Sequence, residues 1–167
     1  MTILDEIEAA IPALRRYAGA LVRDRDAADD LVQDCLERAV ARRDAWRGQG
    51  PVRAWLFRIL LNRHRDLRRA APRPGHLVPV EGLFPEPSAP PPQDGHLAVA
   101  EVRAAMERLP DEQRQALLLV ALEGLSFEAA AAALDIPRGT LMSRLARARA
   151  NLRALTGREP SSKGMSR

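Results

Sequence analysis

The segment from Ser126 to Leu152, SFEAAAAALDIPRGTLMSRLARARANL, decides the fold. Ser126 is a hydroxyl suited to cap a helix N-terminus. The alanine-rich run behind it favours helix, because alanine loses no side-chain entropy there. Asp135-Ile136-Pro137 interrupts that run, and a second helix starts behind the proline. On a wheel of about 100° per residue, Leu141, Leu145, Ala148, Leu152 and Leu155 fall on one face, which reads as core. Gly139, Ser143, Ala146, Arg147 and Ala150 lie opposite, with Arg144 and Met142 flanking the apolar stripe. A short helix, a tight turn and a longer arginine-rich helix make the layout of a helix-turn-helix.

The exposed face of the second helix is small residues with one arginine. Small residues let a helix backbone approach a groove closely. Arginine bonds two acceptors on a guanine edge, and serine bonds base or phosphate. Arg138, Arg149 and Arg153 suit phosphates. A solvated basic helix would carry the same charges; the preceding SFEAAAAALDIP favours DNA reading.

Working outward, LPDEQRQALLLVALEG starts a helix at Pro110, with Asp111 and Glu112 complementing its dipole and Gly124 ending it. One more helix, His96 to Arg108, precedes it. Residues 71–95, APRPGHLVPVEGLFPEPSAPPPQDG, hold eight of the thirteen prolines and three glycines. They read as a stiffened linker. A loop packed through Leu77, Val78, Val80, Leu83 and Phe84 is the alternative. The last residues, 158–167, read as a disordered tail.

Ahead of the linker, Ile3 to Val22 is helical in pattern with a break expected near Pro12. A second helix is expected from an N-cap at Asp26 to about Arg43, and a third from Pro51, as its first residue, to about Arg69. On the second, Asp30, Gln33, Asp34 and Glu37 share one face, and Val32, Cys35, Leu36 and Ala39 lie on the other side. On the third, Val52, Trp55, Leu56, Ile59 and Leu60 form the core stripe. Arg58, Arg65 and Arg69 share another face, with Asn62 beside them. Trp46 and Trp55 read as core, with base stacking as the alternative. The fold class is therefore all-α: two small helical domains joined by a Pro-rich linker, the C-terminal one a helix-turn-helix.

Charge is segregated although the net value is only +4. Residues 24–37 hold six acids against one arginine, and residues 51–73 hold seven arginines against Asp66. A single cysteine, Cys35, excludes an internal disulfide and reads as a small buried hydrophobe. No apolar run approaches membrane-spanning length and no signal-peptide pattern opens the chain, so a cytoplasmic location without membrane insertion is expected. His64, His76 and His96 are scattered without metal spacing, and no Gly-rich phosphate loop follows a strand. No enzyme, cofactor or metal is expected.

The segment LPDEQRQALLLVALEGLSFEAAAAALDIPRGTLMSRLARARANLR resembles the C-terminal domain of bacterial extracytoplasmic-function sigma factors. DAADDLVQDCLERAVARRDAWRG looks like that family's polymerase-gripping helix, and VRAWLFRILLNRHRDLRR like its helix that reads and opens the downstream promoter element. The matches cover residues 10–70 and 97–156 in the family's order. The resemblance implies residues 1–70 as region 2, 71–95 as linker, 96–157 as region 4 and 158–167 as tail. It assigns core RNA polymerase binding to Asp30, Gln33, Asp34 and Glu37. It assigns the melted non-template strand of the downstream element to Arg58, Asn62, Arg65 and Arg69. Asn62 would lie near a flipped-out base, whose extrusion costs a few kcal/mol. A helix-surface amide or a cap of the preceding loop is an equal reading of that residue. Duplex promoter DNA at the upstream element falls to Arg138, Thr140, Ser143, Arg144 and Arg147. The family often has a basic residue where this chain has Met142, and a small or apolar one where it has Arg138. That departure implies an altered upstream specificity. An anti-sigma factor is the further implied partner, packing on both domains and hiding their DNA faces, in a stress-response setting. A sigma-like decoy and a stand-alone DNA-binding regulator are the alternatives. Arginine-rich helices argue against the first, and the N-terminal acidic stripe is unexplained by the second.

Overall fold

The computed structural model describes residues 1–71 and 94–157. Of the expected linker 71–95, residues 72–93 lie outside the described residues, as does the expected tail 158–167; Asp94 and Gly95 belong to a helix and not to the linker. The described chain is all α: α1 Ile3–Leu21, α2 Arg25–Ala41, a 3-10 turn Arg43–Ala45, α3 Val52–Ala70, α4 Asp94–Arg108, α5 Asp111–Leu117 running into a π-helical turn Leu118–Leu122, α6 Phe127–Leu134 and α7 Arg138–Thr156.

Helix α1 opens on a capping box: Thr2 accepts from Asp5 N, and the Asp5 carboxylate takes the Thr2 N–H back at 2.7 Å. The expected break at Pro12 is absent, and α1 is continuous. An interior proline costs about 3 kcal/mol. Here Glu8, whose carbonyl has no N–H at Pro12 to accept from, and Pro12 both face solvent and not the core. Ala10, Ala13, Leu14 and Tyr17 bury on the inner face, and each large side chain returns about 1.5–3 kcal/mol. Packing therefore outweighs the proline.

Two further boundaries differ from expectation. Asp24, not Asp26, caps α2: its Oδ1 accepts from Asp26 N at 2.9 Å and from Ala27 N at 3.4 Å. Pro51 is itself the N-cap of α3, in extended conformation, and not the first helical residue. Ser126 caps α6 as expected, accepting from Ala129 N at 3.1 Å. Asp135 then closes the turn in the left-handed region at φ 54°, a conformation that aspartate tolerates better than most side chains.

Helices α1, α2 and α3 pack on one another, and α7 packs against α4, α5 and α6. The two sets also pack together, α3 against α6 and α1 against the π-helical turn. Their buried side chains join in one hydrophobic cluster. Tyr17 and Phe57 sit inside it with no exposure, edge to face at 5.0 Å between ring centroids. The Tyr17 hydroxyl crosses to the second set and donates to the Gln115 carbonyl at 3.0 Å. Cys35 is fully buried, with its thiol directed at the Leu56 carbonyl at 3.3 Å. Burial pushes that thiol up to about 12, which suits the small hydrophobe expected there.

The widened turn at Leu118–Leu122 is marked by Glu123 N bonding Leu118 O, five residues back. One extra residue in the turn rotates the next side chains by about 100°. Glu123, next in line, faces inward, and its side chain has no exposure. Arg16 Nε and Nη2 reach its two oxygens at 3.0 and 2.8 Å. Arg53 Nη2 adds a bond at 2.9 Å, so α1 and α3 are both clamped to the second set.

Candidate nucleic-acid interface

Helix α7 is anchored by Leu141, Leu145 and Ala148, all without exposure. That anchor leaves Ser143 and Arg147 facing solvent, as the wheel predicts, and Thr140 is exposed as well. Arg138 is exposed too, yet not free: its Nη1 lies 2.7 Å from Glu128 Oε1, and its guanidinium stands over the Phe127 ring. Arg144 is half-buried, 3.7 Å from the exposed Glu112. Met142 is 38% exposed on the same helix, an apolar side chain on an otherwise basic face.

On α3 the core stripe is broader than expected. Ala54, Phe57, Leu61 and His64 join Val52, Leu56, Ile59 and Leu60 in burial, because α3 is covered by α1, α2 and α6 on different sides. Trp55 and Trp46 are half-buried and packed against the core, and both also line a hollow of about 230 Å³ beside Arg58. Asn62 and Arg69 face solvent, Arg65 is half-buried, and Arg58 lies 3.6 Å from Asp135 in the turn of the helix-turn-helix.

The C-terminal end of α3 faces α5 and α7 across a cleft of about 550 Å³. Arg65, Arg68, Arg69 and Arg144 line it, with Asp111 and Glu112. Asp111 lies 2.7 Å from Arg68 and 3.2 Å from His64 Nε2. Burial pushes the Asp111 carboxyl up. The neighbouring His64, Arg68 and Gln115 more than offset this and hold it below the usual carboxylate range. Two helices expected to touch different promoter elements thus bring their arginines to one cleft. Asp111 and Glu112 complement the α5 dipole, as the sequence indicates, and also pair with these arginines. Sequence reasoning missed that second role, since no local pattern places α3 beside α5.

On α2, Asp30, Gln33 and Glu37 are exposed on one face, with Gln33 Nε2 donating to Glu37 at 3.2 Å. Asp34 is not a free acid of that stripe. Arg63 of α3 donates to it at 2.7 Å, which ties the stripe to α3. Arg63 and Leu67, absent from the expected site, join Asp30, Gln33 and Asp34 around a shallow hollow. Leu67 is 43% exposed there, an apolar spot beside acids.

Residues 7–61 match the family described as the Sigma2 domain of PhyR, and residues 100–152 match Sigma-70 region 4. The ECF RNA polymerase sigma factor EcfG of Rhodopseudomonas palustris is 41% identical over 155 residues, 92% of this chain and 84% of the relative. This chain belongs to the ECF RNA polymerase sigma factors.

Among solved structures, the sigma factor RpoE of Bartonella quintana, in complex with the anti-sigma factor NepR, superposes with a TM-score of 0.73. It is 35% identical, over 93% of this chain and 97% of that one. CnrH in complex with the cytosolic domain of CnrY gives a TM-score of 0.68 at 28% identity, covering 95% and 89%. The shared all-α sigma fold spans both helical sets. Among the described residues, no helix is long and apolar enough to cross a membrane.

Proposed function

We propose that this ECF sigma factor binds core RNA polymerase and directs promoter-specific initiation under the control of an anti-sigma factor. The observation that carries the reading is the pair of arginine-bearing helices, α3 and α7, set beside an exposed acidic face on α2. Residues 1–70 act as region 2 and 94–157 as region 4, with 71–93 as the linker that lets them separate on a promoter and 158–167 as a tail. Asp30, Gln33 and Glu37 dock on a basic surface of polymerase, and Asp34 helps through Arg63. Thr140, Ser143, Arg144 and Arg147 enter the major groove of the upstream element, with Arg138 reaching its flank. Arg58, Asn62, Arg65 and Arg69 hold the melted non-template strand, the arginines on phosphates and Asn62 at a base. The chain supplies address and strand opening, the polymerase supplies the chemistry, and the protein acts in the cytoplasm without being an enzyme itself.

A second reading, a decoy that occupies an anti-sigma factor, draws on the match of residues 7–61 to the Sigma2 domain of PhyR, which a solved structure names an anti-anti-sigma factor. A decoy has no use for arginines on two DNA-facing helices, and both are present here. Transcription in vitro with bacterial core polymerase and pooled genomic fragments separates the two. New start sites sharing two spaced motifs are expected. No transcript from the folded protein would favour the decoy.

A further inference from the structure

The cleft between α3 and the pair α5 and α7 holds more positive charge than its own acids neutralise. Arg65, Arg68 and Arg69 stand at i, i+3 and i+4 on α3, so they share one helix face and form one wall. Arg144 of α7 stands across from them, so four guanidiniums meet the two carboxylates of Asp111 and Glu112. Asp111 is fully engaged: its Oδ1 lies 2.7 Å from Arg68 and 3.2 Å from His64 Nε2, and its Oδ2 accepts from Gln115. Glu112 is a loose partner, 3.7 Å from Arg144, with its own side chain 72% exposed. Among the described residues, no acid pairs with Arg65 or Arg69. Arg65, Arg69 and Arg144 are therefore left with donors to offer. The Arg144 side chain is only 22% exposed and Arg65 is half-buried, so an anion between them is partly withdrawn from water and attracted more strongly than on an open surface.

We infer that this cleft is a binding site for a short polyphosphate chain, free or carried by a nucleotide, held by Arg65 and Arg69 of α3 together with Arg144 of α7. Guanidiniums offer forked donors that match phosphate oxygens. Three of them on two helices call for an anion with several charged groups in a row, since a single carboxylate or phosphate reaches one or two. The volume of about 550 Å³ suits a small ligand. No aromatic side chain lines the cleft, and its one apolar lining residue is Ile136, so nothing there stacks on a base and the phosphates carry the recognition. Glu112, already exposed, turns to solvent as the chain enters, while Asp111 keeps Arg68 in place. An occupied cleft engages guanidiniums that the promoter also needs, so ligand and promoter exclude each other. That consequence rests on the sigma-factor reading; the binding itself does not.

The test uses the full chain in magnesium-free buffer, with inorganic tripolyphosphate, ATP, GTP and orthophosphate as probes, and reads affinity by calorimetry and the urea midpoint by circular dichroism. Tripolyphosphate is expected to bind one to one and to raise the midpoint. Orthophosphate is expected to bind about tenfold or more weakly than tripolyphosphate. The pair Arg65→Ala with Arg69→Ala, and Arg144→Ala alone, are each expected to fold and to weaken tripolyphosphate about tenfold or more. The pair Arg149→Ala with Arg153→Ala removes the same charge as the first pair from the exposed face of α7, outside the cleft, and is expected to bind like wild type. Equal affinities for ATP, GTP and tripolyphosphate support a site for the phosphate chain alone. One nucleotide binding about tenfold tighter than tripolyphosphate supports the site and makes that nucleotide the source. Equal losses in the two arginine pairs would mark a diffuse attraction to a basic surface and overturn the inference. So would wild-type affinity in Arg144→Ala, which leaves no role for α7, or no binding of tripolyphosphate at about 1 mM. None of these readouts uses polymerase, so failure of the site and failure of the sigma-factor reading are told apart.

Discussion

Replacing Glu123 with alanine is expected to destabilise the joined state of the two helical sets. The carboxylate has no exposure and accepts three charge-assisted bonds at 2.8–3.0 Å, two from Arg16 and one from Arg53. Removing one partner of a buried pair costs about 3–5 kcal/mol when the charge left behind is sealed from water. Here the partners are not sealed: the Arg16 side chain is 51% exposed and that of Arg53 43%. Water reaches both once the carboxylate is gone, so the loss on Glu123→Ala falls to about 2–3 kcal/mol. At a urea dependence of about 2 kcal/mol/M, the unfolding midpoint moves down by about 1–1.5 M. Glu123→Gln keeps the volume and one acceptor and is expected to lose about half as much. Far-UV circular dichroism in urea, with wild type and both variants, reads these shifts. Midpoints within about 0.3 M of wild type for Glu123→Ala would refute the clamp.

Asp30→Arg is expected to abolish core polymerase binding with an unchanged melting curve. Asp34→Arg is expected to lose binding and stability together, because it also breaks the bond from Arg63; equal melting curves for the two would contradict this. Arg147→Ala is expected to cost about 1–3 kcal/mol of promoter affinity at one base position, whereas an equal loss on all sequences would mark a phosphate contact. Tyr17 is the chain's one tyrosine, and burial, with the charges of Asp111 and Glu123 behind it, pushes its phenol well above the ordinary value. A raised folded value leaves stability intact below about pH 10 and removes it as pH rises further. Tyrosinate absorbance is therefore expected to appear together with unfolding, and ionisation in the intact fold near pH 10 would contradict the burial. Asp111 shifts the other way. Its lowered folded value contributes stability that is present above about pH 4 and is lost as pH falls below it, so Asp111→Asn is expected to flatten the acid arm of the pH–stability curve.

The sequence by itself determined the local structure of this protein. The alanine run, the Ser126 cap, the Asp135-Ile136-Pro137 turn and the Leu141-Leu145-Ala148 stripe specify a helix-turn-helix, because caps, turns and helical periodicity act over a few residues. The same short range made the motifs of α2, α3 and α7 recognisable as those of a sigma factor. Local signals failed where packing overrides them. Pro12 does not break α1, because its neighbours gain more from burial than the proline costs. The turn before Glu123 widens to a π-helical one, which no propensity marks. Only the tertiary structure decided that α3 lies against α6, that Asp34 belongs to Arg63, and that Asp111 and Glu112 face the arginines of the cleft. The pairs Asp34–Arg63, Arg68–Asp111 and Arg16–Glu123 join residues 29 to 107 positions apart. Their partners are chosen by which apolar faces meet in the shared core, and that choice is not written at either position alone.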